Sequence, residues 1–286
     1  AAINGSPTQG FGYTTLMTNN GKMVNRGVEI TLSGEIIRQK DFSWNASLLY
    51  AFNRNKVKHI SVQPSLWDSR ISMPTSYPMV GKPLYGIYAY KWAGLNENGD
   101  PQVYDAENNV TSGPARDYHA LVYCGTTVPI HNASLTNVLR YKGFEFSAML
   151  ILDAGHKLRS SNIPSINMSN GRITSTAKGI VDRWTQPGDV TDVPRLLFSN
   201  DTENFNTHRT ELYRYSDLFV YDASNIRLSN ISLAYRVPAH WCKKISLSGA
   251  RLQFNVENVA TFAFDSKANY DLGGKVKPNY VWGLYL

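Results

Sequence analysis

Phe42-Ser43-Trp44-Asn45-Ala46-Ser47-Leu48-Leu49-Tyr50-Ala51-Phe52 decides the fold class. Its even positions are all apolar: Phe, Trp, Ala, Leu, Tyr, Phe. Its odd positions are mostly small or polar: Ser, Asn, Ser, Leu, Ala. Successive side chains of a strand point to opposite faces, so a period of two writes one apolar face and one polar face. Just upstream, Val28, Ile30, Leu32 and Ile36 alternate with Glu29, Thr31, Ser33 and Glu35. Arg38-Gln39-Lys40-Asp41 forms a polar turn between the two runs. The pair reads as a β-hairpin.

The same unit recurs. Ala133, Leu135, Leu139 and Tyr141 alternate with Ser134, Thr136 and Arg140. The turn Lys142-Gly143 follows, and then Phe144, Phe146, Ala148, Leu150 and Leu152 share one parity. In a third unit Ile226 and Leu228 hold one parity, and Ile231, Leu233, Tyr235 and Val237 hold the other. That phase slip at Ser229-Asn230 predicts a β-bulge, which inserts one residue and restores the face. Leu252, Phe254 and Val256 continue after a short basic connector, and Tyr280, Trp282, Leu284 and Leu286 close the chain. Strands are expected near 24–37, 42–57, 131–142, 143–156, 223–237, 249–263 and 279–286, and helix signals are nearly absent.

The chain has 286 residues, 42% hydrophobic, 18% charged and 12% aromatic. That length holds one large domain or two small ones. No run reaches the ~18 uninterrupted apolar residues of a membrane helix, whereas membrane strands alternate and leave no such run. A net charge of +7 is spread over scattered residues, with no run longer than Lys243-Lys244. This reads as a solvated surface and gives no basic stripe for nucleic acid. The start, Ala1-Ala2-Ile3, carries neither an initiator Met nor a leader, which reads as a processed chain or an excised piece.

The connections are lopsided. Those at 38–41, 142–143 and 238–248 are short, while 58–130, 157–222 and 264–278 are long. Outer-membrane barrels have short periplasmic turns and long extracellular loops. In lipid an open sheet edge leaves backbone groups unpaired at several kcal/mol each, so such a sheet must close. About seven strands fall short of the even count, eight at least, of a single-chain barrel. The small polar residues Ser43, Ser47, Ser134 and Ser147 on the inner parity suit a wide hydrated lumen. The fold class expected is therefore all-β: an antiparallel transmembrane β-barrel, present as an arc of a larger ring. Tyr and Phe near the strand ends are expected to form interfacial girdles.

Asn25-Arg26-Gly27-Val28-Glu29-Ile30 and Asp41-Phe42-Ser43-Trp44-Asn45-Ala46-Ser47, followed by Asn53-Arg54-Asn55-Lys56-Val57, resemble barrel-strand signatures of one family. Gly81-Lys82-Pro83-Leu84, Tyr88-Ala89-Tyr90-Lys91-Trp92-Ala93-Gly94-Leu95 and Gly99-Asp100-Pro101-Gln102 resemble its loop. Arg183-Trp184, Pro187-Gly188-Asp189 and Pro194-Arg195 resemble another. The most specific stretch runs from Asp222-Ala223-Ser224 through Ile226-Arg227-Leu228 and Ser232-Leu233-Ala234-Tyr235 to Pro238. In order and spacing the chain resembles the C-terminal part of SusC/RagA-type TonB-dependent outer-membrane transporters. It departs from them in ending at Leu286 where members usually end in an aromatic residue.

The resemblance implies a barrel of about 22 strands, with the plug domain absent from residues 1–286. It implies import of oligosaccharides or peptides in the outer membrane of a Gram-negative bacterium. The implied partners are a SusD-like lid lipoprotein, the plug and remaining barrel strands of the same transporter, TonB acting through the missing N-terminal part, and outer-membrane lipid. A dimer of transporter–lid pairs is a further possibility of the family. Loops 58–130 and 157–222 would contact lid and substrate. The rival reading is a secreted or surface soluble β-sandwich that binds glycans.

Enzymatic motifs are missing: there is no G-x-S-x-G, H-E-x-x-H, P-loop or G-x-G-x-x-G, so no catalytic residue, metal ligand or cofactor is expected. Turnover of a glycan or peptide by the clean protein would overturn that. Asn96-Glu97-Asn98-Gly99-Asp100 with Asp105 and Glu107 has calcium-ligand chemistry. However, a frame ending at Glu107 puts Pro101 where the loop needs Gly, and the frame with Gly99 sixth begins at the ligand-free Gly94. A plain turn is the better reading. Tyr85, Tyr88, Tyr90 and Trp92 could stack on sugar rings, but packing at the base of a long loop or a place at the membrane interface is the better reading; Tyr88, Tyr90 and Trp92 are the substrate candidates. Cys124 is expected on the outer side and Cys242 in a periplasmic turn. A hydrocarbon core ~30 Å thick then forbids a bond that needs Cα atoms within ~7 Å.

Overall fold

The computed structural model describes residues 21–61, 69–113, 117–169, 172–173, 177–198, 207–244, 246–272 and 277–285. Seven long strands form one antiparallel sheet: β1 (Gly21–Arg38), β2 (Phe42–Ile60), β3 (His131–Tyr141), β4 (Phe144–Ala154), β5 (Asn225–Arg236), β6 (Arg251–Ala263) and β7 (Asn279–Tyr285). Their spatial order is their chain order, so every connection joins neighbours. Among the described residues the result is a meander with β1 and β7 at its two edges and no pairing that closes it into a ring.

The register turns the sequence alternation into two faces. Trp44 lies opposite Leu139, which faces Phe146. That residue faces Leu233, which in turn faces Phe254 and then Trp282. Directly opposed residues share a face, so this single row of large apolar side chains crosses six strands. Leu48, Leu135, Leu150, Leu228 and Ala260 make a parallel row. On the other face Asn45, Val138, Ser147, Ser232, Asn255 and Val281 form one row.

The bulge lies where the phase slips. Register shifts between Leu228 and Asn230 against both β4 and β6. Leu228 pairs with Leu150 and Asn230 with Met149, leaving Ser229 as the extra residue. Without it Leu233 and Tyr235 would turn to the polar face.

The chain folds as two compact units, 26–54 with 129–156 and 222–286, and 1–25 with 55–128 and 157–221. The first contains most of the sheet. The second holds the long connections, which are folded. Gly86–Tyr90 pairs with Leu121–Thr126, Pro101–Tyr104 pairs with Trp92–Leu95 and Val110–Thr111, and the helix α1 (Thr207–Arg214) packs among them. Their core is Tyr88, Tyr90, Val103, Ala120, Leu121 and Leu212, beside a second cluster of Ile166, Tyr213 and Phe219. None of the sheet's outward row belongs to either cluster.

Candidate functional site

Two features are candidates, each within its own unit: the two faces of the sheet, and the interior of the folded connections. Residues of the apolar row stay exposed: Phe146 at 37%, Leu233 at 47% and Trp282 at 77%. Water penalises such a surface by roughly 25 cal/mol per Å², and contiguous exposed apolar area of this kind marks a face that another phase or protein covers. The rings are ordered against one another, with Phe254 4.1 Å from Trp282 and Phe144 4.5 Å from Tyr235 between centroids.

The opposite face is hydrogen-bonded along and across strands. Gln253 donates from Nε2 to Ser232 Oγ at 3.2 Å and to Asn255 Oδ1 at 2.9 Å. Near the short turns Glu145 receives Arg140 at 2.7 Å and Arg251 at 3.0 Å. At the other end Arg227 approaches Asp153 at 4.0 Å. Across β3 to β6 the face carries these ion pairs towards the strand ends, and on β1 the polar parity adds Glu29 and Glu35.

Of the four aromatics singled out in the loop sequence, only Tyr85 is exposed, at 45%. Tyr88 and Tyr90 are each 1% exposed. Tyr88 accepts the Met79 N–H at its hydroxyl, and burial raises its pKa. Trp92 is half-buried, packs on Tyr213 at 5.9 Å and donates from Nε1 to Asp192 at 3.0 Å. The rings of Tyr88 and Tyr90 are therefore committed to the core, and alternation within Gly86–Tyr90 cannot reveal this because all five residues are buried.

Sequence reasoning missed the group that pins the connections. Asp100 accepts Arg195 through Nε at 3.2 Å and Nη2 at 3.0 Å, and Arg209 through Nε at 3.1 Å. Arg209, 2% exposed, also donates to the Ile166 and Arg195 carbonyls and to Asn167 Oδ1. Burial lowers its pKa, and the facing Asp100 opposes that shift. Gly99, with φ +73°, admits the Trp184 ring where a Cβ would collide with it. The Asn96 amide oxygen is used locally, accepting the N–H groups of Asn98 and Asp100 at 2.9 Å each. Among the described residues no group of three His, Cys, Asp or Glu is arranged to hold a metal. Cys124 and Cys242 are free thiols, and burial with help from Asp217 pushes Cys124 up to about 11.

No protein-family model matches the chain. Among characterised proteins, TonB-dependent receptor P3 of Formosa agariphila is 24% identical over 96% of this chain. TonB-dependent receptor SusC of Bacteroides thetaiotaomicron is 22% identical over 87% of it. The chain is similar to TonB-dependent receptors of the SusC/RagA type. It spans 28% of the length of the first and 24% of the second. The structure of the RagAB peptide transporter superposes with a TM-score of 0.71 at 21% identity, over 96% of this chain and 30% of that one. The RagAB peptide importer in its closed-closed state gives 0.64 at 22% identity. This SusC/RagA-type likeness is one of fold, and it agrees with a large antiparallel sheet that is a fraction of something larger.

Proposed function

We propose that the chain forms part of the wall and the outer loops of a TonB-dependent importer in the outer membrane of a Gram-negative bacterium, corresponding to the C-terminal portion of its barrel. The observation that carries the reading is the apolar row from Trp44 to Trp282, of which Phe146, Leu233 and Trp282 are exposed and the rest half-buried, backed by a face rich in Ser, Thr, Asn and Gln. Lipid accepts the first face and a hydrated lumen the second. A soluble sandwich would instead bury that row against a second sheet about 10 Å away, and Trp282 at 77% exposure runs against it.

The cargo class proposed is oligosaccharide or peptide. One structural neighbour is a peptide transporter, and SusC stands among the relatives. The proposed partners are a SusD-like surface lipoprotein over the long connections, the remaining strands and plug of the same transporter, and TonB through that plug. The chain itself performs no bond-breaking chemistry.

The test uses the full-length polypeptide in its own outer membrane. Uptake of fluorescent peptides and oligosaccharides is followed in cells with and without the gene, and with TonB disabled. Gene- and TonB-dependent uptake, with the protein resisting urea extraction from membranes, is expected. Recovery in the soluble fraction overturns the reading.

A further inference from the structure

The short-turn end of the sheet carries a cluster that the transport reading leaves unused. The helix α2 (Ala239–Lys244) interrupts the β5–β6 connection. Its Cys242 is fully buried and fixes the helix, while Trp241 is 54% exposed and Lys243 and Lys244 stand in solvent. The neighbouring β3–β4 turn is locked against the same connection. Arg236 N–H donates to the Gly143 carbonyl at 2.8 Å, and a Cβ on Gly143 would lie 2.9 Å from the Tyr235 ring. That turn presents Lys142, with Nζ 5.3 Å from the centre of the Tyr141 ring. Residues 141–144 and 236–251 include no acidic residue. Beside them stand Asp41, whose carbonyl accepts the Lys142 N–H at 2.8 Å, and Glu145, already held by Arg140 and Arg251.

These cations sit at the end of the apolar face. Its last row reads Phe42, Tyr141, Phe144, Tyr235, Leu252 and Leu284. Tyr141 and Phe144 are 53% and 51% exposed. Trp and Tyr concentrate where hydrocarbon meets headgroup. Lysines there keep their stems on apolar surface and place the ammonium among the phosphates. Each such lysine near an anionic surface contributes about 1 kcal/mol, roughly fivefold in affinity.

We infer that Lys142, Trp241, Lys243 and Lys244 form a binding collar for anionic phospholipid of the periplasmic leaflet, phosphatidylglycerol in type. The collar rests on the outer-membrane reading, which supplies the lipid. Charge complementarity and continuity with the apolar face select this occupant: the ammonium groups take the phosphate and the Trp241 indole lies at the glycerol level.

The full-length protein is purified in mild detergent and titrated with palmitoyl-oleoyl phosphatidylglycerol or phosphatidylcholine, bound lipid being counted by native mass spectrometry. Wild type is expected to prefer phosphatidylglycerol by about a hundredfold. Lys243→Gln with Lys244→Gln is expected to cut that preference by about 25-fold, and Lys142→Gln by about fivefold, with phosphatidylcholine binding unchanged. Equal binding of the two lipids by wild type, or a preference that survives all three substitutions, overturns the collar. Urea-resistant flotation of each protein with phosphatidylcholine vesicles separates the two failures. A protein that floats but shows no preference sinks the collar alone, and one that does not float sinks the membrane reading with it.

Discussion

Asp100 and Arg209, 109 positions apart in the chain, meet at 3.1 Å, with the guanidinium 2% exposed. This contact joins the strand hairpin of the long connections to the helix α1. Through the further bonds of Arg209 it reaches Ile166, Asn167 and Arg195. Asp100→Asn leaves Arg195 and Arg209 facing each other with no anion between them. Removing one partner of a buried pair costs about 3–5 kcal/mol. Hydrogen exchange of the 86–126 amides in the intact protein is expected to rise by two or more orders of magnitude, while amides of β3 to β6 stay protected. Uniform protection in the variant would refute the keystone role.

The two faces of the sheet answer differently to charge. Leu233→Arg places a cation on the apolar row, where the penalty is about 2–4 kcal/mol near the bilayer midplane and falls towards the interfaces. Ser147→Arg, on the polar face, is expected to leave folding into vesicles within about 1 kcal/mol of wild type. Urea titrations of the two variants in lipid vesicles measure the difference. Equal penalties would mean that the faces are not in different media.

Deleting Ser229 removes the bulge. The segment from Asn230 to Arg236 must then present Leu233 and Tyr235 to the polar face or abandon its register with β4 and β6. The folded fraction in the outer membrane is expected to collapse, whereas Ser229→Ala keeps the backbone count and is expected to behave as wild type. A deletion variant that folds normally would show that the register is held elsewhere.

Cys124 supplies a pH signature. Burial pushes its thiol up to about 11 from an ordinary value of 9.0, so the folded chain holds that proton more tightly than the unfolded chain. Its stabilising contribution is full below pH 9.0 and is lost as pH rises towards 11. At pH 8 the thiolate fraction is about a hundredfold below that of an ordinary cysteine, and iodoacetamide labelling of Cys124 is expected to slow accordingly. Cys124→Ser is expected to flatten the alkaline arm of the unfolding profile. Labelling at the rate of a free thiol would contradict the burial.

The sheet was legible because its signal is local. The parity of Phe42 to Phe52 is a property of eleven adjacent residues, and the slip at Ser229 is visible in the letters themselves. The interior of the long connections was not legible, for two physical reasons. Strands such as Gly86–Tyr90 are buried on both faces and lose the alternation. The contacts that organise them, Asp100 with Arg209 or Gly99 under Trp184, join residues far apart in sequence. From sequence Tyr88 and Tyr90 read better as loop packing or interface rings than as sugar platforms, but the letters do not decide, because aromatic residues serve cores and binding surfaces alike. Only their partners distinguish the two uses.

Among the described residues no strand pairs with the outer rims of β1 and β7. Each is a ready template for a foreign strand. Copies joined rim to rim would add head to tail without a symmetry that ends the addition. Produced apart from whatever strands seat those rims, the polypeptide is expected to grow into ribbons.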